Sequence, residues 1–266
     1  MKKIRNLFIF SVTAFTVLCA SVQAQEQPAL VLVHGAHFSA NAWQQVQTLV
    51  DHRFKSYAID LPGRNDKITP AMVSLEISAA VLCKSMATIQ GDKVLVAHSQ
   101  GGSIVNASLD LCPEEPITKI IYVTSVAPLN NTEVFSKLSK EDEKNYFTGV
   151  TFNENSELLE ITNQLSFTKN FAQDANKSQR EWLNKNAVAE PASVGGSKVT
   201  LNEKRYQEID KYYIFAKNDR IISLASQHRI AQSINLKSSF QLDSGHLPML
   251  THSQALADIL MNFSQR

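Results

Sequence analysis

A serine, a histidine and an aspartate, each placed just after an apolar run, supply the residue types needed for nucleophilic attack on a carbonyl carbon. Ser99 stands in Val94-Leu95-Val96-Ala97-His98-Ser99-Gln100-Gly101-Gly102, where an apolar run ends and a helical pattern starts at once. A strand that turns sharply into a helix pushes the serine into a strained position at the end of a sheet. Small residues two before and two after it, Ala97 and Gly101, let the strand and helix backbones approach. Ala97 departs from the first glycine of G-x-S-x-G, a small-for-small exchange.

A serine hydroxyl is a weak nucleophile until a base takes its proton and a third group orients that base. Of the seven histidines, His52, His228 and His252 fall in predicted helices or loops, while His34, His37 and His98 flank strand ends. His246 lies in Asp243-Ser244-Gly245-His246-Leu247-Pro248, directly after the last predicted strand. Catalytic groups of open α/β sheets collect at the carboxyl ends of strands, so His246 is the expected base. The acid should also follow a strand. Asp219 does, after Tyr212-Tyr213-Ile214-Phe215-Ala216; Asp243 is the alternative, only three residues before the histidine and equally able to form a turn.

A tetrahedral oxyanion needs N–H donors. The Gln100 amide, at a helix N-terminus, is one candidate; the other is the Ala36 amide in His34-Gly35-Ala36-His37, just past the first strand. His37 and Phe38, beside that loop, are the residues expected to touch substrate.

The elements that must position these groups read as alternating strands and helices. Ala29-Leu30-Val31-Leu32-Val33 is a continuous apolar run with β-branched residues in it, the pattern of a parallel strand buried on both faces. Ser56-Tyr57-Ala58-Ile59 is a short strand closed by Asp60-Leu61-Pro62-Gly63. Thr69 and Pro70 predict the start of a helix through Ile77, Leu82 and Met86 that Gly91 stops. Lys119-Ile120-Ile121-Tyr122-Val123-Thr124 and Ser239-Phe240-Gln241-Leu242 complete the strand signals, with a closing helix from about Ser253 to Phe263. Between about residues 129 and 210 the composition turns polar and helical for longer than a loop allows, predicting a helical cap over the sheet edge. Phe135, Phe147, Phe167, Phe171 and Trp182 within it serve either as an apolar pocket or as the cap's own core.

The first 24 residues carry Lys2, Lys3 and Arg5, then an apolar run from Leu7 to Cys19, then Val22-Gln23-Ala24. That order predicts an export signal cleaved after Ala24, and a periplasmic or secreted protein. The apolar run is too short to favour a stable membrane anchor. The remaining chain, residues 25–266, has 23 lysines and arginines against 25 acidic residues. With no basic patch, nucleic acid is not an expected partner. Cys83 and Cys112 are too few and too poorly spaced with histidine for a zinc site; in an oxidising compartment they are either a disulfide or two buried thiols. No pattern in the chain specifies an oligomeric state.

Taken together, His34-Gly35-Ala36 with Trp43, Asp60-Leu61-Pro62-Gly63, Ala97 to Gly102, Lys217-Asn218-Asp219-Arg220 and Gly245-His246-Leu247-Pro248 resemble the α/β-hydrolase superfamily. The chain is most similar to the small carboxylesterases that include methyl-salicylate-type esterases and hydroxynitrile lyases. The order Ser…Asp…His is that of the superfamily. The resemblance implies a Ser99–His246–Asp219 triad, an oxyanion hole at Ala36 and Gln100, a cap, and no cofactor. The family's first two strands have no room before Ala29, so a mostly parallel, six-stranded sheet with helices on both faces is expected. The lyases place a threonine at Gly35 and a lysine at Leu247; their absence favours hydrolysis of small or medium esters. An amidase or lactonase on the same triad, and a non-catalytic ligand-binding protein on a hydrolase scaffold, are the alternatives.

Overall fold

The computed structural model describes residues 27–64 and 69–265; the expected export signal lies outside them. The chain alternates β1 (Ala29–Val33), α1 (Gln44–Val50), β2 (Ser56–Ile59), α2 (Leu75–Met86), β3 (Lys93–His98), α3 (Gly101–Leu111) and β4 (Ile117–Val123). The segment that follows holds α4 (Lys140–Phe147), β5 (Val150–Asn153), β6 (Leu158–Ile161), α5 (Gln164–Phe171), α6 (Lys177–Asn186), β7 (Glu190–Pro191), α7 (Ala192–Gly195) and α8 (Glu203–Glu208). The chain returns to the main sheet with β8 (Asp210–Ala216), α9 (Leu224–Gln232) and β9 (Ser238–Leu242), and ends in α10 (Pro248–Thr251) and α11 (Ser253–Gln265).

Six strands form one sheet in the order β2-β1-β3-β4-β8-β9, and every pairing in it is parallel. Parallel strands joined by right-handed crossovers put helices on opposite faces when the direction of travel reverses. Here the chain goes out from β1 to β2 and returns on the other side with β3. Accordingly α1 packs with α11, and α2 packs with α3. Both faces covered means both faces apolar: every residue of β1 and of β3 is buried. The reversal between β1 and β3 is a topological switch point, where a crevice opens outside the strands' carboxyl ends. Gly35-Ala36 and Ser99 leave the sheet at that point.

Two sequence expectations are corrected. Helix α2 does not begin at Thr69: residues 70–72 form a separate 3-10 turn, and α2 starts at Leu75 with the Ser74 hydroxyl accepting from the Ile77 amide. Ser74 offers the cap oxygen that Thr69 does not use. The inserted segment is helical as expected but also carries a three-stranded antiparallel sheet, β5-β6-β7. Strands of two to four residues with half-polar composition leave no apolar run to read. Between the two thiol readings the structure has the disulfide, with Cys83 and Cys112 Cα atoms 5.8 Å apart, joining the ends of α2 and α3.

The cap is fastened to the main body by two carboxylates, one buried and one partly so. Asp142 in α4 closes a capping box with Ser139 and also accepts from the amide of Ser223 and the hydroxyl of Ser226, just before and inside α9. Asp174, after α5, accepts from the Gly245 amide at 2.7 Å and the Thr251 hydroxyl at 3.0 Å. These anchors flank the loops that carry Asp219 and His246.

Candidate active site

Ser99 follows β3 with a φ of 51°, the left-handed region that L-residues avoid. Such strain persists only where neighbours over-determine it. The Ser99 carbonyl accepts from the Ser125 hydroxyl at 2.6 Å and the Val126 amide at 3.1 Å, which locks the turn against the end of β4. A Cβ on Gly35 would stand 2.7 Å from the Ser99 Cβ, and one on Gly101 2.7 Å from the His34 carbonyl. Only glycine permits these approaches of the loop after β1 to the serine and of α3 to β1.

The three groups singled out in the sequence come together. His246 Nε2 lies 3.1 Å from Ser99 Oγ, and His246 Nδ1 lies 2.7 Å from Asp219 Oδ2. Asp219 Oδ1 accepts from the Ile221 and Ile222 amides at 2.7 and 3.0 Å, and Oδ2 also accepts from the Thr124 hydroxyl. A carboxylate held by three donors besides the imidazole can only accept, so Nδ1 carries the proton and Nε2 presents a lone pair to the serine. Asp243, the alternative, is exposed and engages Asn218 and Lys217 instead. Thr124 was not foreseen; its position at the end of a strand was the available signal.

Behind the site lies a row of neutral histidines. His98 Nε2 donates to the His246 carbonyl at 2.8 Å, and the two rings are 4.8 Å apart. His34 Nε2 accepts from the Leu61 amide at 3.2 Å while Nδ1 donates to the Gly35 carbonyl at 2.9 Å. Burial lowers all three of His34, His37 and His98: His34 to about 3, helped by the Arg64 charge; His37 to about 4; and His98 well below 6.5, helped by His246. Trp43 is fully buried with its ring 6.5 Å from that of His98, and Asp60 accepts from the Ala40 amide at 2.7 Å, so both serve packing and loop geometry.

The amides of Ala36 and Gln100 donate to no protein acceptor among the described residues. His37 is wholly buried, with Nδ1 donating to the Val188 carbonyl at 2.8 Å and Nε2 accepting from the Tyr146 hydroxyl at 2.7 Å. Phe38 packs in the core edge-on to His98. Of the cap aromatics, Phe171 stands over the site, its ring 5.5 Å from that of His246 and stacked 4.1 Å from Phe167. Phe135 and Phe147 are exposed, and Trp182 packs on the core. Ser99 retains 7% exposure under this cover. Sequence reasoning gave no sign of Arg64 and Glu190, a buried pair 2.5 Å apart that joins this site. Among the described residues no cluster of three or more histidine, cysteine, aspartate or glutamate side chains is placed to hold a metal ion.

A strained serine, an imidazole and a buried carboxylate in this chain of hydrogen bonds can perform acyl transfer. The sequence pattern of the Alpha/beta hydrolase family matches residues 30–259, and the protein belongs to that family. It is 25% identical to norfluorocurarine synthase 2 of a Strychnos species, over 91% of this chain and 97% of that one. It is 23% identical to methylesterase 7 of Arabidopsis thaliana, over 90% and 97%. The solved structure of a pyrethroid hydrolase from Sphingobium faniae JZ-2 superposes with a TM-score of 0.79 at 18% identity, covering 90% of this chain and 97% of that one.

Proposed function

We propose that the protein is an exported serine esterase acting on small or medium carboxylic esters. The observation that carries this reading is the continuous chain Asp219–His246–Ser99, ending on a serine in the left-handed conformation. Ser99 Oγ attacks the ester carbonyl carbon while His246 Nε2 takes its proton. The resulting oxyanion is received by the amides of Ala36 and Gln100, each such donor being worth about 2.7–4 kcal/mol in the transition state. The C–O bond to the alcohol then breaks, and His246 returns the proton to the departing oxygen. Water attacks the acyl-enzyme by the reverse sequence and releases the acid. Asp219 holds the tautomer throughout and stabilises the imidazolium. His37, buried with both ring nitrogens engaged, and Phe38, packed in the core, support the oxyanion loop rather than touch substrate as the sequence led one to expect. Phe171 covers the ester from the cap side. The printed name of one relative, methylesterase 7 of Arabidopsis thaliana, supports the same class.

A fluorophosphonate probe should label the purified protein stoichiometrically at Ser99, located by peptide mass analysis. The labelled preparation should lose turnover of esters in a panel of esters, lactones and amides graded by chain length. Absence of labelling would point to a non-catalytic binding protein, and turnover confined to amides or lactones would move the assignment to those classes.

Export rests on the basic, apolar and small-residue order of residues 1–24, and the Cys83–Cys112 bond suits an oxidising compartment. Expressed in a Gram-negative host, the protein should be recovered outside the cytoplasm with Gln25 as its first residue. N-terminal sequencing that reads from Met1 would overturn this.

A further inference from the structure

Glu190 belongs to the short cap strand β7, far in sequence from the catalytic groups, and its side chain is wholly buried. One of its oxygens, Oε2, accepts from the backbone amide of His37 at 3.1 Å and from Arg64 Nε at 2.9 Å. The other, Oε1, accepts from the side-chain amide of Gln100 at 2.9 Å and from Arg64 Nη2 at 2.5 Å. His37 is the residue after Ala36, and Gln100 is the residue after Ser99. A single carboxylate from the cap therefore grips both loops whose amides face the reacting carbonyl.

Two further observations set this apart from ordinary packing. A carboxylate next to a developing oxyanion would oppose catalysis unless its charge were cancelled. Arg64, 1% exposed, cancels it with a two-pronged contact and is itself tied to the Pro62 carbonyl at 2.9 Å. Moreover, a buried ion pair is usually no more stabilising than an apolar pair of the same volume, because desolvation offsets the attraction. Its position is better explained by geometry: the His37 backbone has a φ of 66°, a conformation that needs holding.

We propose that Glu190, neutralised by Arg64, is a positioning residue that sets the two oxyanion amides of Ala36 and Gln100 and ties their alignment to the cap. The assignment rests on the acyl-transfer reading of Ser99. Displacing an aligned donor by about 1 Å can cost on the order of 100-fold in rate. Removal of Glu190 should therefore lower kcat while leaving ground-state binding largely alone.

The test uses the full protein in three variants. Glu190→Gln keeps the shape but turns an amide N–H₂ towards donors. Gln100→Met removes only the side-chain tie and leaves the backbone amide and the Arg64–Glu190 pair. The double variant Arg64→Met/Glu190→Met replaces the pair by apolar side chains and guards against misfolding of the single one. Each is expected to lose about 10- to 100-fold in kcat with KM within about threefold. Affinity for a trifluoromethyl ketone, whose adduct carries the oxyanion, should weaken by the same factor, while affinity for the product acid stays put. A folded double variant with wild-type kcat and ketone affinity would reduce the pair to a structural role and overturn the proposal, as would an unimpaired Gln100→Met. Failure of the wild-type protein to take the fluorophosphonate at Ser99 would instead remove the underlying reading, and the proposal with it.

Discussion

Replacing Ser99 by alanine should lower kcat for a short p-nitrophenyl ester by a factor on the order of 10⁵–10⁶ in a protein that remains folded. Removing the nucleophile of a working triad costs about as much as removing all three members, because the groups act as one unit. The folded state should hardly notice. Serine and alanine bear the same penalty at φ 51°, and the bonds that lock the elbow come from the Ser99 carbonyl rather than its hydroxyl. What remains should be the small residual catalysis of the oxyanion amides and binding. The measurement is steady-state kcat alongside circular dichroism and the thermal midpoint. Turnover within tenfold of wild type in a folded Ser99→Ala protein would end the serine-hydrolase assignment.

Mild acid should destabilise the fold steeply, beginning well above the range in which ordinary carboxylates titrate. His34, His37 and His98 are buried and neutral. His34 and His37 each use an unprotonated ring nitrogen as an acceptor, and Nδ1 of His98 faces no acceptor. A second proton would therefore break a bond in the first two and be buried unpaired in the third. Burial, with the Arg64 charge acting on His34 and His37, brings His34 to about 3 and His37 to about 4, and His98 lies well below 6.5. A histidine pKa that is depressed by folding means that the unfolded chain binds the proton first. Its contribution is complete above about pH 6.5 and is lost as the pH falls below that value, levelling off only near the folded pKa. One pH unit below 6.5 the loss is on the order of 1 kcal/mol per histidine, hence a few kcal/mol in all at pH 5.5. Against a typical domain stability of about 5–15 kcal/mol this is a large fraction. Urea unfolding at pH 7.5 and 5.5 should show the midpoint falling with an unchanged slope. A midpoint that is level or rises over that interval would show that these histidines do not carry the pH dependence.

Much of the main body was legible because its signals are local. Short, continuous apolar runs such as Ala29–Val33 have few alternatives to a strand buried on both faces. Ser99, Asp219 and His246 sit one to four residues beyond such runs, so a strand's end singles them out as candidates without a structure, with Asp243 beside them as a second acid. The cap was legible only in outline. Its strands are short and its helices polar, and nothing in Glu190-Pro191 or in Arg64 marks a partner 126 residues away.

By itself, then, the order of residues determined a parallel sheet and brought Ser99, His246 and two candidate acids, Asp219 ahead of Asp243, to its strand ends, since these follow from patterns spanning fewer than about ten residues. Tertiary structure alone decided the rest. It selected Asp219 over Asp243 by bringing its carboxylate to His246, and joined Cys83 to Cys112. It also placed Phe171 over His246, and set one buried cap carboxylate against both the loop after β1 and the turn that carries Ser99. Each of these is a contact between segments distant in the chain, and it is the reversal of strand order between β1 and β3, with the cap folded over it, that brings them within hydrogen-bonding range.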